Sequence, residues 1–152
     1  MILAIDPGAC SGWAYRDKGG ELHSCHLALD TERGLRAADE LVRTIGLDWI
    51  VIEGMGYLPT GKARYDTAYG MGRHAGTWET LARLRGLPVA WVHPSEWQRA
   101  MLHSGRSNPG RAALKKLSVS VASKLAGHPV TVDEADAICL LQYETTEARL
   151  RR

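Results

Sequence analysis

Four acidic residues carry the chemistry open to this chain. Asp6 ends the apolar run Ile2-Leu-Ala-Ile5, Glu53 ends a second apolar run that begins at Trp49, and Asp133 and Asp136 stand three apart where a helix should begin. Pro7 and Gly8 break the first run and Gly54 the second, so each strand-end acid is left at the lip of a sheet. A lone aspartate there is usually a turn-former. Two such acids, with a second pair on one face of a helical turn, make a pattern. Gathered in one place, four carboxylates repel one another unless cations sit among them or some hold protons. Oxygen ligands without histidine or thiolate select Mg²⁺ or Mn²⁺ over zinc. Two such ions about 4 Å apart would activate water and stabilise a leaving 3′ oxygen in phosphodiester hydrolysis. Asp6 and Glu53 are expected to bridge the ions, with Asp133 and Asp136 completing the coordination and one of them orienting water.

The elements that must position these acids follow from spacing. Ile2 to Ile5 is a strand buried on both faces. Gly12 to Asp17 and Glu21 to Leu29 alternate as two further strands around the Asp17-Lys-Gly-Gly20 turn, an antiparallel meander. Helical periodicity through Leu35, Ala38, Leu41, Val42 and Ile45 predicts a helix from Thr31 to Gly46. The strand ending at Glu53 is reached through that helix, so it should run parallel to the first and bring Glu53 beside Asp6. A loop from Gly54 to Asp66, a helix from Thr67 to Leu84 with Gly70, Gly72 and Gly76 suited to close packing against the sheet or a partner helix, and a fifth strand, Pro88 to Val92, come next. Ser95 caps a short helix from Glu96 to Leu102, and Pro109 opens another running to Leu125. Thr131 and Glu134 have the spacing of a capping box, which starts the last helix at Val132. His23, Cys25 and His26 put only two ligands on one strand face, with no second pair at zinc-site spacing.

The chain of 152 residues is expected to be one domain, 1–152, with a core that needs no disulfide; its three scattered cysteines suit a reducing compartment. No leader pattern or bilayer-length apolar run is present, so a cytoplasmic protein with no membrane partner is expected, associated with nucleoid or viral DNA. The net charge is +2, unevenly spread: eleven of the nineteen Lys and Arg lie between Gly54 and Val132, but only three of the seventeen acids. A basic middle section between acidic flanks is the footprint of a surface that meets a polyanion. Tyr57, Lys62, Arg64, Arg73, Arg106, Arg111, Lys115 and Lys116 are the candidate DNA contacts.

Ile5-Asp-Pro-Gly8, Val51-Ile-Glu53 and Asp133-Glu-Ala-Asp-Ala137, in this order and spread over nearly the whole chain, resemble the motifs of RuvC-type Holliday junction resolvases. The resemblance implies a ribonuclease H-like α/β fold: a mixed five-stranded sheet in the order 3-2-1-4-5 with helices on both faces. It also implies a homodimeric, Mg²⁺-dependent endonuclease that nicks opposed strands of four-way junction DNA and uses no nucleotide cofactor. A two-fold enzyme presents two sites to a pseudo-two-fold junction. In the family an aromatic side chain just after the second carboxylate wedges into the junction; Gly56 occupies that place here, and the role passes to Tyr57. A basic residue near the scissile phosphate is also implied, with Arg111 and Lys115 as candidates. The same fold and acids serve nucleases of structured RNA and of RNA–DNA hybrids, and a non-catalytic junction-binding module is a further alternative. The Asp-x-Gly opening also occurs in actin-like ATPases, but those need two lobes and this chain has room for one.

Overall fold

The computed structural model describes residues 1–8, 10–54, 62–102 and 110–150, with side chains throughout except at 62–67 and 149–150. Strands β1 (Ile2–Asp6), β2 (Ser11–Arg16) and β3 (Leu22–Leu27) form the antiparallel meander. Helix α1 (Glu32–Thr44) leads to β4 (Trp49–Glu53), parallel to β1, and α2 (Lys62–Arg83) leads to β5 (Val89–Val92), parallel to β4. Helices α3 (Pro94–Leu102), α4 (Arg111–Ala126) and α5 (Val132–Leu150) complete the chain, and the sheet runs β3-β2-β1-β4-β5 as the motifs implied.

The central strands are apolar without interruption because both faces are covered. Leu3, Ile5, Ile50 and Ile52 pack with Ala38 and Val42 of α1 and with Ala75, Trp78 and Ala82 of α2. Ala4, Ala14 and Val51 point the other way, against Trp97 of α3, Ala122 of α4 and the buried run of α5 from Ala137 to Leu141. Alternate residues of one strand thus serve two cores. Among the described residues no helix is long and apolar enough to cross a membrane.

Helix α5 touches β1, β2, β3 and β4 as well as α3 and α4. Its first turn lies so close to β2 that a Cβ on Gly12 would stand 1.7 Å from the Asp133 carbonyl oxygen and 2.7 Å from its carbon. Glycine at position 12 therefore sets the height at which α5 rides over the sheet, and with it the position of Asp133.

Several boundaries differ from the expectation. Helix α1 is capped by Thr31 Oγ1, which accepts from Gly34 N at 3.0 Å, but its buried face runs through Gly34, Ala38 and Val42, and Leu35 is 41% exposed. Gly34 sits against the Ala28 carbonyl, where a Cβ would come within 2.0 Å, and that contact rolls Leu35 outward. Helix α2 begins at Lys62 rather than Thr67, and α3 begins at Pro94, whose missing N–H costs nothing in a first turn. Within the chain Gly70 and Gly76 do not pack against the sheet: among the described residues a Cβ at either would meet nothing within 4 Å.

Gly12→Ala should therefore destabilise the protein by about 2–3 kcal/mol, because backbone rather than a flexible side chain must yield. Gly76→Ala should be neutral or stabilise by up to about 1 kcal/mol through helix propensity. Urea unfolding of the two variants beside the wild type checks both; equal midpoints would mean that the α5–β2 approach is looser than described.

Candidate active site

Parallel pairing of β1 with β4, in which Ile5 stands opposite Ile52, brings Asp6 and Glu53 out side by side at the same sheet edge. The Gly54 N–H donates to the Val92 carbonyl at 2.8 Å, so pairing with β5 holds the backbone on the far side of Glu53. The third element is the start of α5. Glu134 Oε2 accepts from Thr131 N at 2.9 Å and from Thr131 Oγ1 at 2.7 Å, and Thr131 Oγ1 accepts from Glu134 N at 3.3 Å. Glu134 Oε1 also accepts from Ser24 Oγ of β3 at 3.1 Å, so the capping acid doubles as a tether to the sheet. Burial works against its charge, but these bonds hold its carboxyl below the ordinary value.

Asp6, Glu53, Asp133 and Asp136 all line one cavity of about 370 Å³. Arg111 and Lys115 of α4 also line it, as do Gly8, Trp97 and Gln98, and Met71, Leu102, Leu114 and Val132 supply apolar wall. Burial, then the charges of Asp136 and Asp133, push the Asp6 carboxyl up to about 7, against the pull of Lys115 and the Gly8 N–H. Burial and Asp6 push Glu53 up to about 8, with Asp136 adding to it and a hydrogen bond from Trp97 Nε1 opposing it. Asp136 is raised by burial and by Asp133, and eased by the Ser118 hydroxyl, which donates to its Oδ1, and by Lys115. Beneath it, burial raises the Cys139 thiol to about 12, which leaves it an inert core residue beside Ser118.

The donors in this pocket are hard carboxylate oxygens, which fit Mg²⁺ or Mn²⁺. Among the described residues, only Asp17, Glu21 and His23 bring three candidate ligand atoms within 4.8 Å of one another. That group belongs to the β2–β3 turn: Asp17 Oδ1 accepts from Glu21 N at 2.9 Å, and Oδ2 lies 3.3 Å from His23 Nε2. No three of the four pocket acids bring ligand atoms that close together.

The basic candidates divide. Lys115 and Arg111 face the acids; Lys116 is exposed and does not line the cavity, and Arg73 lies in a shallow groove on α2 with Gly76, Thr77, Thr80 and Leu81. Tyr57 and Arg106 lie outside the described residues, as do the side chains of Lys62 and Arg64. Three supporting residues escaped the sequence reading. Trp97 donates to Glu53 Oε2 at 2.8 Å, Ser118 donates to Asp136, and buried His74 of α2 places Nδ1 2.8 Å from the carbonyl oxygen of Gly8, in the turn after Asp6.

No family model matches the chain, and no curated relative does. By structure it is similar to T. thermophilus RuvC in complex with Holliday junction substrate, with a TM-score of 0.69 and 16% identity over 98% of this chain and 95% of that one. A second Thermus thermophilus RuvC structure gives 0.67 and 18%, over 99% and 96%. Fowlpox virus resolvase in complex with Holliday junction DNA gives 0.53 and 13%, over 97% and 99%. The chain therefore has the RuvC-type ribonuclease H-like fold.

The raised carboxyls have a consequence for stability. Below the ordinary carboxylate range Asp6 and Glu53 are protonated whether the chain is folded or not. Between the ordinary carboxylate range and about 7 to 8 the unfolded chain sheds these protons while the folded protein keeps them, so stability falls across that window and levels off above it, where both states carry the charge. In EDTA, Asp6→Asn should melt several degrees above the wild type at about pH 8.5, and the difference should vanish near about pH 4. Adding Mg²⁺ at the higher pH should close the gap from the wild-type side. Thermal unfolding across pH measures this, and a gap independent of pH would contradict it.

Proposed function

We propose that this chain is a Mg²⁺-dependent endonuclease that resolves four-way DNA junctions by paired nicks on opposed strands, acting as a homodimer. The observation that carries the reading is that four acids from three distant parts of the sequence line one cavity together with Lys115 and Arg111. The fold supports it, since the similar T. thermophilus RuvC and fowlpox virus resolvase were each solved with Holliday junctions.

Asp6 and Glu53, on neighbouring strand ends, and Asp133 and Asp136 at the start of α5 would together hold the divalent ions; Mn²⁺ would substitute. Bound there, the ions supply Lewis acidity, which activates water and neutralises charge on the phosphate and leaving oxygen. The residues set the geometry. Asp136, with one oxygen held by Ser118, would be the fixed ligand, and Asp133 at the helix start would be the one free to orient water. Lys115 and Arg111 bind the phosphate and hold the scissile bond over the acids. Arg73, Lys116 and the basic residues at 62, 64 and 106 are the further candidates for contact with the DNA backbone, and Tyr57 is the candidate wedge. The outward side of α2, with Tyr69 65% exposed and a groove of about 430 Å³ beside Arg73 and Thr77, is the dimer face in this reading.

The test is cleavage of a labelled mobile four-way junction in Mg²⁺. The wild type should give symmetrical nicks, and Asp6→Asn should cut at least about 100-fold more slowly while still binding the junction. Equal cutting by the variant would discard the assignment. Preference for an RNA–DNA hybrid or structured RNA would move the substrate, and binding without metal-dependent cutting would make the chain a binding module.

A further inference from the structure

Beyond the acids, the most constrained side chain of the pocket is Trp97. It is 0% exposed on α3 and packs into the core formed with α4 and α5. Its single polar atom, Nε1, donates to Glu53 Oε2 at 2.8 Å, across 44 residues of chain. Burial alone does not explain that bond. The indole nitrogens of Trp13 and Trp78 are also buried, and among the described residues neither has a partner. Among the described residues two buried indole nitrogens thus go without a partner, while the third is given to a site acid.

An indole N–H donates and never accepts, so it occupies one lone pair of the carboxylate without competing for a cation. Among the described residues nothing else donates to Glu53. Its backbone is already held by the β4–β5 pairing, which leaves the side-chain torsions as the remaining freedom. We propose that Trp97 is a positioning residue: by holding Oε2 it presets Oε1 of Glu53 as the oxygen offered to a divalent cation in the pocket. This rests on the metal-site reading given under Proposed function. It makes α3 a rigid mount through which the hydrophobic core sets the aim of a ligand.

Metal binding in the absence of DNA tests it. Mn²⁺ is titrated calorimetrically into EDTA-stripped wild type, Trp97→Phe and, as a control for loss of an indole, Trp91→Phe, which removes a 47% exposed side chain. Trp97→Phe should bind Mn²⁺ about 10-fold or more weakly, and Trp91→Phe as the wild type does. In the wild type, the assigned Trp97 indole ¹⁵N–¹H resonance should move on saturation with Mg²⁺ while that of Trp78 stays. A folded Trp97→Phe with wild-type affinity overturns the proposal; if that variant does not fold, an unmoved Trp97 resonance in metal-saturated wild type overturns it. Absence of any heat with the wild type overturns the metal site itself, and this proposal with it.

Discussion

Like charges forced together away from water set the terms for everything around them in this molecule. Asp6 and Glu53 are pushed up to about 7 and about 8 because each is buried and each faces other carboxylates. A shift of that size represents a few kcal/mol of unfavourable interaction, on the order of a third of a typical domain's stability. A fold that keeps such a cluster must hold its backbone firmly there, and the sheet does so. The acids sit on the two strands buried on both faces, in a register that pairs Ile5 with Ile52. Neutral donors and one lysine then moderate the repulsion: the Gly8 N–H and Lys115 at Asp6, Trp97 at Glu53, and Ser118 with Lys115 at Asp136.

The two faces of the sheet do different work. Helices α1 and α2 seal one face with a core of Ile, Leu, Ala and Trp. On the other face α5 is both core and site, since Ala135 and Ala137 to Leu141 lie buried while Asp133 and Asp136 turn to the cavity. Small residues let this helix approach closely, and Gly12 marks the limit of that approach. A single packing distance thus governs both the burial of α5 and the reach of its two acids toward Asp6.

Much of this was legible because it is local. An apolar run that ends in an acid and a helix breaker needs no knowledge of the rest of the chain, and neither does the Thr131–Glu134 capping box, which forms as its spacing implied. The topology followed from connection lengths, since a tight turn reverses the chain and a helix does not. What escaped was set by contacts across the fold. Leu35 fits the helical stripe, yet the contact of Gly34 with Ala28 rolls it into solvent. Trp97 and Ser118 read as ordinary core residues, because their partners stand 44 and 18 positions away and only the folded chain brings them into reach. Surface charge was the least legible: Arg111 and Lys115 are separated from Lys116 by which side of α4 they occupy, and single-residue spacing decides it.

The order of elements along the chain has one more effect. Asp6 and Glu53 come early in the chain, at the ends of paired strands, while Asp133 and Asp136 come with α5. A chain made only as far as α4 would carry two of the four acids, and the full electrostatic burden would come with α5. The pocket therefore has all four of its acids only once α5 has been made and has docked on the sheet.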